Sequence, residues 1–526
     1  MDRKTLLAIG LSLLFFVGWQ KFYIEPRLPK AGQSVAPSGT EAVALSSPGG
    51  APAAGLGANG AAALPVATKP IEVKSTDIAT GTGPAKIGDA GKFFTGWQLN
   101  DYRATREKSA PPVDLAGFSN LPGGEGELAF DAKDFAYANN VQGTMKASPG
   151  GAIWTYEDAN LKLTREYSFG PDKKYVDLVL SAEFKTKRPN FAFVSVGTKS
   201  AVDGHDEADR QLVALQNNSI QRVHFKDIDE TTKVKDLPGA TSWIGAQSRY
   251  FLFALVPAEN AVRAVAQTIP HPDKEHEAKI NLVYPVTGNA IRIPLKAYFG
   301  PKEMNALHSV ERSLDLTIDF GWFTILAYPI LKVMKWINSA VGNWGIAIIL
   351  LTLLIKLLTY PLTYKSMKSM KKIAKLQPQM NALKEKYKDD KEALNREMIT
   401  FMKEQGYNPV AGCLPMFLQM PIFFALYRVL YSSIELYQAP FFGWIQDLSM
   451  KDPFYITPVL LVALMWFQQK ITPSTATDPT QAKMLQYMPL FFGLMMMNLP
   501  AGLTVYMLVN AAASIVQQRY LNKKFA

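Results

Sequence analysis

Apolar and polar residues follow two different patterns along the chain. From about residue 71 to residue 310 they alternate in short runs, for example at 161–167, 191–196 and 249–256, and turn formers such as Gly170 and Pro171 separate the runs. Alternation with a period of two is typical of half-buried β-strands. From residue 316 onward the apolar runs are longer and suit membrane-spanning helices of about 20 residues. The pattern predicts a large all-β sandwich joined to an α-helical membrane protein with six transmembrane helices.

The chain begins with an apolar run that ends on Trp19 and Tyr23, where a cleaved signal peptide would need small residues, so we expect an uncleaved signal-anchor. A stretch rich in Ala, Gly, Pro and Ser follows and predicts a tether, because it has too little apolar surface to fold. The predicted segments are a signal-anchor helix at 1–24, a linker at 25–70, the β-sandwich at 71–310, an interfacial amphipathic helix at 316–341, a second transmembrane helix at 343–364, a basic helical hairpin at 365–408, further transmembrane helices at 411–437, 454–470, 483–499 and 501–521, and a short basic tail at 522–526.

Positive charge sets the expected orientation. Basic residues outnumber acidic ones in the hairpin and flank alternate ends of the apolar runs, whereas the loop at 438–452 is nearly neutral. Loops rich in Lys and Arg stay on the cytoplasmic side of a membrane. The pattern predicts a multi-pass protein of a bacterial inner membrane, with both termini in the cytoplasm and the sandwich in the periplasm.

One full charge, Lys356, interrupts the apolar run at 343–364, and Thr352, Thr359 and Tyr360 fall on the same helical face. An ammonium group at this depth costs about 3 kcal/mol on insertion scales and normally faces a cavity or a partner. Snorkelling toward the interface is the alternative for this segment alone.

Polar residues in three other predicted spans fall at a similar depth, toward the cytoplasmic side. They are Gln419, Gln486, Asn510, Ser514 and Gln517, and Tyr506 lies on the same helical stripe as Asn510 and Ser514. Several helices that are polar at one depth predict a shared hydrophilic groove that opens to the cytoplasm. Arg428 lies deep toward the outer side instead, and either a pair with Glu435 or snorkelling outward would account for it.

Composition excludes several kinds of chemistry. The single cysteine, Cys413, rules out an intramolecular disulfide framework and any CxxC site. His205, Asp206, Glu207 and Asp209 crowd one loop, but such residues are more often a solvated charged loop than a metal site. We expect no metal, no cofactor and no catalytic residue. The chain has a net charge of +11, and its lysines cluster next to the apolar spans, so we expect a lipid bilayer as partner rather than nucleic acid.

Two motifs resemble a known family. The run NPVAGCLP at 408–415, followed by QMPIFFALY at 419–427, is similar to the signature of the YidC membrane-insertase family, in its diderm bacterial form. The resemblance covers the whole chain. It implies a five-helix insertase core after the first span, and a periplasmic β-supersandwich of sugar-mutarotase-like topology.

The resemblance also implies a function: ATP-independent insertion of nascent membrane proteins through a groove whose cationic residue attracts client tails. That position corresponds to Lys356, where bacterial members usually have Arg, so paired hydrogen bonds to a carboxylate are not expected here. The expected partners are nascent chains, the ribosome and the Sec translocon. Recruitment is expected at five lysines of the hairpin: Lys371, Lys372, Lys375, Lys384 and Lys386.

Two rival functions stay open on the sequence. An ion-coupled transporter would need an intramembrane Asp or Glu as carrier, and the core spans have only Glu435, near an outer end. A membrane-tethered sugar enzyme built on the β domain would need paired carboxylates in a cleft.

Overall fold

The structure is a computed structural model that describes residues 73–107, 109–119, 125–199, 210–224, 227–228, 234–270, 276–387, 390–404, 414–471 and 479–524. The predicted signal-anchor at 1–24, the linker at 25–70 and the loop with His205, Asp206, Glu207 and Asp209 lie outside these residues.

The first part of the described chain is almost entirely β-structure. The strands are β1 Ser75–Thr80, β2 Gly83–Gly88, β3 Phe94–Arg103, β4 Pro112–Asp114, β5 Glu127–Phe130, β6 Thr144–Ser148, β7 Gly151–Glu157, β8 Leu161–Ser168, β9 Val176–Phe184, β10 Phe191–Lys199, β11 Gln211–Gln216, β12 Ser219–Val223, β13 Val234–Gln247, β14 Phe251–Pro257, β15 Ala261–Pro270, β16 His276–Pro285 and β17 Ala290–Pro301. All pairings between them are antiparallel, as expected for strands joined by short turns. Strands β1 to β4 form a small sheet, and the others belong to one large sheet whose central order is β15-β13-β14-β17-β9.

Alternation along the strands builds the core of this β domain. Along β8 every second residue from Leu161 to Tyr167 is buried, including Arg165, whereas the residues between them are half-buried or exposed. Trp97 and Trp154 are fully buried, and their indole N–H groups donate to the hydroxyl of Thr82 and the carbonyl of Asp89. The large aromatic side chains therefore fill the core without leaving their polar atoms unpaired.

A buried ion network also lies in the β domain. Glu127 contacts the ammonium groups of Lys92 and Lys279, each at 3.1 Å, and Lys279 also contacts Glu277 at 3.2 Å. Burial by itself would raise the pKa of Glu127, but the two ammonium groups lower it to about 2. Glu127 is therefore a structural anion.

Helices make up the second part of the chain. They are α1 Leu115–Ser119 within the β domain, α2 Met304–Val310, α3 Thr324–Val341, α4 Trp344–Lys375, α5 Gln377–Lys386, α6 Lys391–Glu404, α7 Leu414–Ser432, α8 Ile456–Ile471, α9 Pro479–Met496 and α10 Ala501–Lys524. Helix α3 ends at Gly342, which adopts the left-handed conformation with φ 67°. Asn343 then accepts the N–H of Ile346 and begins α4.

Helix α3 is amphipathic. Trp322 just before it, Ile325 and Trp336 are 83%, 86% and 71% exposed, whereas Leu331 and Met334 are buried against the helical core. Large apolar residues exposed along one face suit a helix that lies in the membrane interface.

The ends of α4, α7, α8, α9 and α10 meet on the side of the β domain. The loop between α7 and α8 contacts the start of α10 through the N–H of Gly502, which donates to the carbonyl of Leu448. The same loop contacts the start of α4, where a side chain at Gly345 would overlap the ring of Phe441. The opposite ends of these five helices therefore lie away from the β domain.

Among the described residues, one helix is long and apolar enough to cross a bilayer by length and composition, at Trp344–Lys368, and two shorter apolar helices are Ile456–Ile471 and Tyr487–Met496. The boundaries differ from the sequence prediction in several places. Helix α3 begins at Thr324 rather than at residue 316, and α9 begins at Pro479 rather than at residue 483. Helix α4 continues to Lys375, into the predicted hairpin. Helix α7 ends at Ser432, because the next turn, Ile434–Leu436, belongs to a junction with the β domain.

That junction combines apolar packing with polar contacts. Ile434 is 3% exposed and belongs to the hydrophobic core of the β domain. The ring of Tyr437 packs on those of Tyr250 and Phe251, with centroids 5.1 and 5.4 Å apart. Arg249 donates from Nε to the carbonyl of Tyr431 and stacks on its ring. The β domain is thus anchored to the end of α7.

The pairing of Arg428 with Glu435, which the sequence left open, is wrong. Glu435 forms an ion pair with Lys335 of α3. The Arg428 guanidinium lies beside Asp319 and Gly321, just before α3. Burial tends to raise the pKa of Asp319, but Arg222 and Arg428 hold it below its usual value. Arg428 therefore has a structural partner, Asp319, in the segment just before α3.

Candidate functional site

A cation on α4 meets α10 in the half of the helices that lies away from the β domain. The Lys356 ammonium donates to Ser514 Oγ at 2.7 Å, and Ser514 Oγ in turn donates to the carbonyl of Asn510 at 2.7 Å. Lys356 is partly buried. The ammonium is therefore directed at α10 in this structure, and the chain of hydrogen bonds holds it there.

A second polar contact joins α7 to α10. Gln419 Nε2 donates to the hydroxyl of Tyr506 at 2.9 Å, and Tyr506 is 1% exposed. Tyr506, Asn510 and Ser514 follow each other at a spacing of four residues and so share one face of α10. Polar side chains of α4 and α7 are thus both bonded to that face.

The remaining predicted groove residues have different surroundings. Thr352 is 1% exposed and donates to the carbonyl of Ile348, and Thr359 donates to that of Ile355. Threonine can satisfy its hydroxyl in this way within its own helix, so Thr352 does not need an aqueous cavity. Tyr360 is partly buried, with its ring 6.3 Å from that of Tyr364.

Gln517 lies one turn beyond Ser514 on α10. Its amide nitrogen is buried and has no hydrogen-bond partner among the described residues. A buried donor without a partner costs about 1–3 kcal/mol, and such groups commonly mark a place where water or a ligand enters. Gln517 therefore extends the polar face of α10 toward the end of the helix.

The described helices around Lys356 carry basic residues but no acidic ones. Within the described residues, α4, α7, α8, α9 and α10 contain no Asp or Glu. Lys356 therefore has no carboxylate partner on any of these helices. For the same reason the five helices offer no acidic carrier of the kind that an ion-coupled transporter needs.

The predicted recruitment lysines lie on two elements. Lys371, Lys372 and Lys375 are in the last turns of α4, and Lys384 and Lys386 are in the last turn of α5. Helices α5 and α6 pack through a small apolar cluster that includes Met380 and Met398.

Sequence reasoning missed an apolar groove between α8 and α9. It has a volume of about 550 Å³ and is lined by Pro458, Val459, Val462, Ala463, Trp466, Tyr487, Pro489, Leu490, Gly493, Leu494 and Met497. Gly493 allows the two helices to approach closely, because a side chain there would overlap Val462. A lone glycine within an apolar run was the available signal.

Two family models cover most of the chain. The model described as the YidC periplasmic domain matches residues 77–333, and the model described as the 60Kd inner membrane protein matches residues 336–526. Together they define an inner membrane protein that carries a periplasmic domain, which is the class that the β domain and the helical core indicate.

Full-length relatives make the assignment specific. The chain is 34% identical to the membrane protein insertase YidC of Geobacter metallireducens, over 100% of this chain and 99% of the relative. It is also 34% identical to the protein of the same name from Syntrophus aciditrophicus, over 100% of both chains. The chain belongs to the YidC family of membrane protein insertases.

Solved structures give weaker likenesses. A crystal structure of an active YidC insertase with its first transmembrane domain resolved has a TM-score of 0.36 and 18% identity, covering 86% of this chain and 94% of that one. A galactose mutarotase related enzyme from Lactobacillus acidophilus has a TM-score of 0.30 and 7% identity, covering 43% of this chain and 97% of that one.

Proposed function

We propose that the protein inserts nascent membrane proteins into the inner membrane through a polar groove formed by α4, α7 and α10. The observation that carries this proposal is the Lys356 ammonium, which is directed at Ser514 of α10 while the five core helices lack any carboxylate. The groove residues in this proposal are Lys356, Thr359, Tyr360, Gln419, Tyr506, Asn510, Ser514 and Gln517, and Thr352 forms its buried end.

The proposal requires a defined topology. We place six spans in the membrane, namely the segment 1–24 and helices α4, α7, α8, α9 and α10, with both termini in the cytoplasm. Support comes from the ends of the five helices that meet near the β domain and from the basic residues at their opposite ends, such as Lys470, Arg519 and Lys523. The groove then opens on the cytoplasmic half of the bilayer.

Insertion by this site needs no covalent chemistry. A client tail that enters a polar notch part-way across the bilayer has less hydrocarbon to cross and keeps more of its hydration. Lys356 favours a tail that carries a carboxylate, and the client's apolar segment then moves sideways into lipid. Lys356 presents a compact point charge, so the attraction does not depend on a bidentate geometry.

Recruitment is assigned to the hairpin of α5 and α6 and the end of α4. Their lysines lie at the cytoplasmic end of the groove in the proposed topology and present positive charge to a ribosome and to acidic nascent segments. Cooperation with the Sec translocon is part of the same proposal and rests on the family resemblance.

The test compares Lys356→Glu and Lys356→Arg in proteoliposomes. Clients carry either an acidic or a basic N-terminal tail, and protection of the tail from external protease measures insertion. We expect Lys356→Arg to insert the acidic tail like the original chain. Lys356→Glu should no longer insert the acidic tail and should insert the basic tail instead. Lys523→Glu changes the same charge at an exposed position on α10 and serves as the control. Equal insertion of the acidic tail by the Glu and Arg variants would refute the steering role.

A further inference from the structure

The apolar groove between α8 and α9 has a charged end. Val459, Val462, Ala463 and Trp466 line it from α8, and Lys470 follows on the same face one turn beyond Trp466. The Lys470 ammonium lies 3.6 Å from the centre of the Trp466 ring. This cation–π contact holds the charge at the end of the groove that is distant from the β domain.

The dimensions of the groove match one leaflet of a bilayer. At ~1.5 Å per residue, Val459 and Lys470 are separated by about 16 Å along α8, and half of a ~30 Å hydrocarbon core is about 15 Å. The volume of about 550 Å³ falls within the range of pockets that bind small ligands. An apolar chain that fills the groove would therefore end at the level of Lys470.

The lining excludes a polar occupant. Apart from the Tyr487 side chain, the residues that line the groove are aliphatic, aromatic, Met, Pro or Gly. Arg519 of α10 adds a second cation at the same end of α8, where its guanidinium lies 5.0 Å from the centre of the Phe467 ring. The two cations favour an anion at one end, and the apolar lining favours a hydrocarbon chain along the rest.

We infer that this groove is a binding site for an acidic glycerophospholipid of the leaflet that lies away from the β domain. One acyl chain lies along α8 and α9 between Val459 and Trp466, and the lipid phosphate contacts Lys470. The site is separate from the polar groove of α4, α7 and α10, so it does not depend on the proposed route of client insertion.

Native mass spectrometry of the full-length chain tests the inference. The protein is purified in a mild detergent with equimolar phosphatidylglycerol and phosphatidylethanolamine of matched acyl chains, and the ratio of the two retained lipids is measured. One lysine near an anionic headgroup corresponds to about a fivefold preference. We therefore expect at least about fivefold more phosphatidylglycerol than phosphatidylethanolamine on the original chain, a ratio lowered about fivefold by Lys470→Gln, and a preserved preference for Lys470→Arg.

Two further variants distinguish the contribution of the apolar groove to lipid binding from that of nearby positive charge. Ala463→Phe fills the apolar lining and should reduce retention of both lipids, whereas Lys523→Gln removes an exposed cation at the same end of the helices and should change neither. Phosphatidylglycerol with a photoreactive acyl chain should crosslink to peptides of α8 and α9. Equal retention of the two lipids by the original chain, an unchanged ratio in Lys470→Gln, or crosslinks confined to other helices would overturn the inference.

Discussion

The junction between α7 and the β domain leads to a sharp prediction for Ile434→Ala. Ile434 is 3% exposed and belongs to the core of a domain whose strands end at Pro301. The substitution removes three carbon groups, or about 2.4 kcal/mol at ~0.8 kcal/mol each, and the cavity left behind brings the usual total to about 2–5 kcal/mol. A change outside the β domain should therefore destabilise that domain.

Hydrogen exchange measured by mass spectrometry gives this effect region by region. The slowest peptides of the β domain should exchange at least roughly 50-fold faster in Ile434→Ala, the rate ratio that corresponds to about 2.4 kcal/mol. Ile153→Ala is the matched control, because Ile153 on β7 is 48% exposed and its truncation should change these rates less than about fivefold. If the two variants exchanged alike in the β domain, Ile434 would not be part of its core and the reasoning would fail.

Three other predictions concern stability. The pKa of Glu127 in the folded protein is about 2, below its ordinary value of 4.5, so its carboxylate contributes about 3 kcal/mol to the free energy of unfolding above pH 4.5. This contribution disappears as the pH falls from 4.5 to 2. Thermal scans of Glu127→Gln should therefore lack this part of the acid sensitivity. Tyr506→Phe removes the hydrogen bond from Gln419 and should cost about 0.6–1.5 kcal/mol by unfolding in detergent, and an unchanged midpoint would mean that the bond adds nothing. Gly345→Ala should destabilise by about 1–3 kcal/mol through overlap with Phe441, whereas Gly117→Ala, with open space around it, should stay within about 1 kcal/mol, as thermal scans of both variants would establish.

The polar face of α10 could be predicted from the sequence. Tyr506, Asn510 and Ser514 recur every four residues, and helical geometry alone places them together. Depth in the bilayer then relates Ser514 to Lys356 and Gln419, since each lies seven or eight residues from the same end of its predicted span. The hydrogen bonds from Lys356 to Ser514 and from Gln419 to Tyr506 join members of this predicted set.

Other features depend on partners that are distant in sequence. Ile434 follows an apolar run, so pattern alone assigns it to the span, and only the tertiary structure places it in the β domain. Arg428 faces Asp319, which lies outside the helical core and gives no periodic signal. Spacing places Thr352 on the same helical face as Lys356, but its hydroxyl donates to a carbonyl of its own helix. Patterns indicate which face a side chain occupies and leave open what it meets there.

The position of Ile434 constrains the order in which the protein can mature during synthesis. Roughly 130 residues separate the last strand from this isoleucine, which takes the ribosome about 6–26 s at 5–20 residues per second. During that interval the sheets have all their strands but lack one apolar side chain of their interior. The domain made first therefore reaches its final stability only after a helix made much later has reached its place, which ties maturation outside the helical core to events within it.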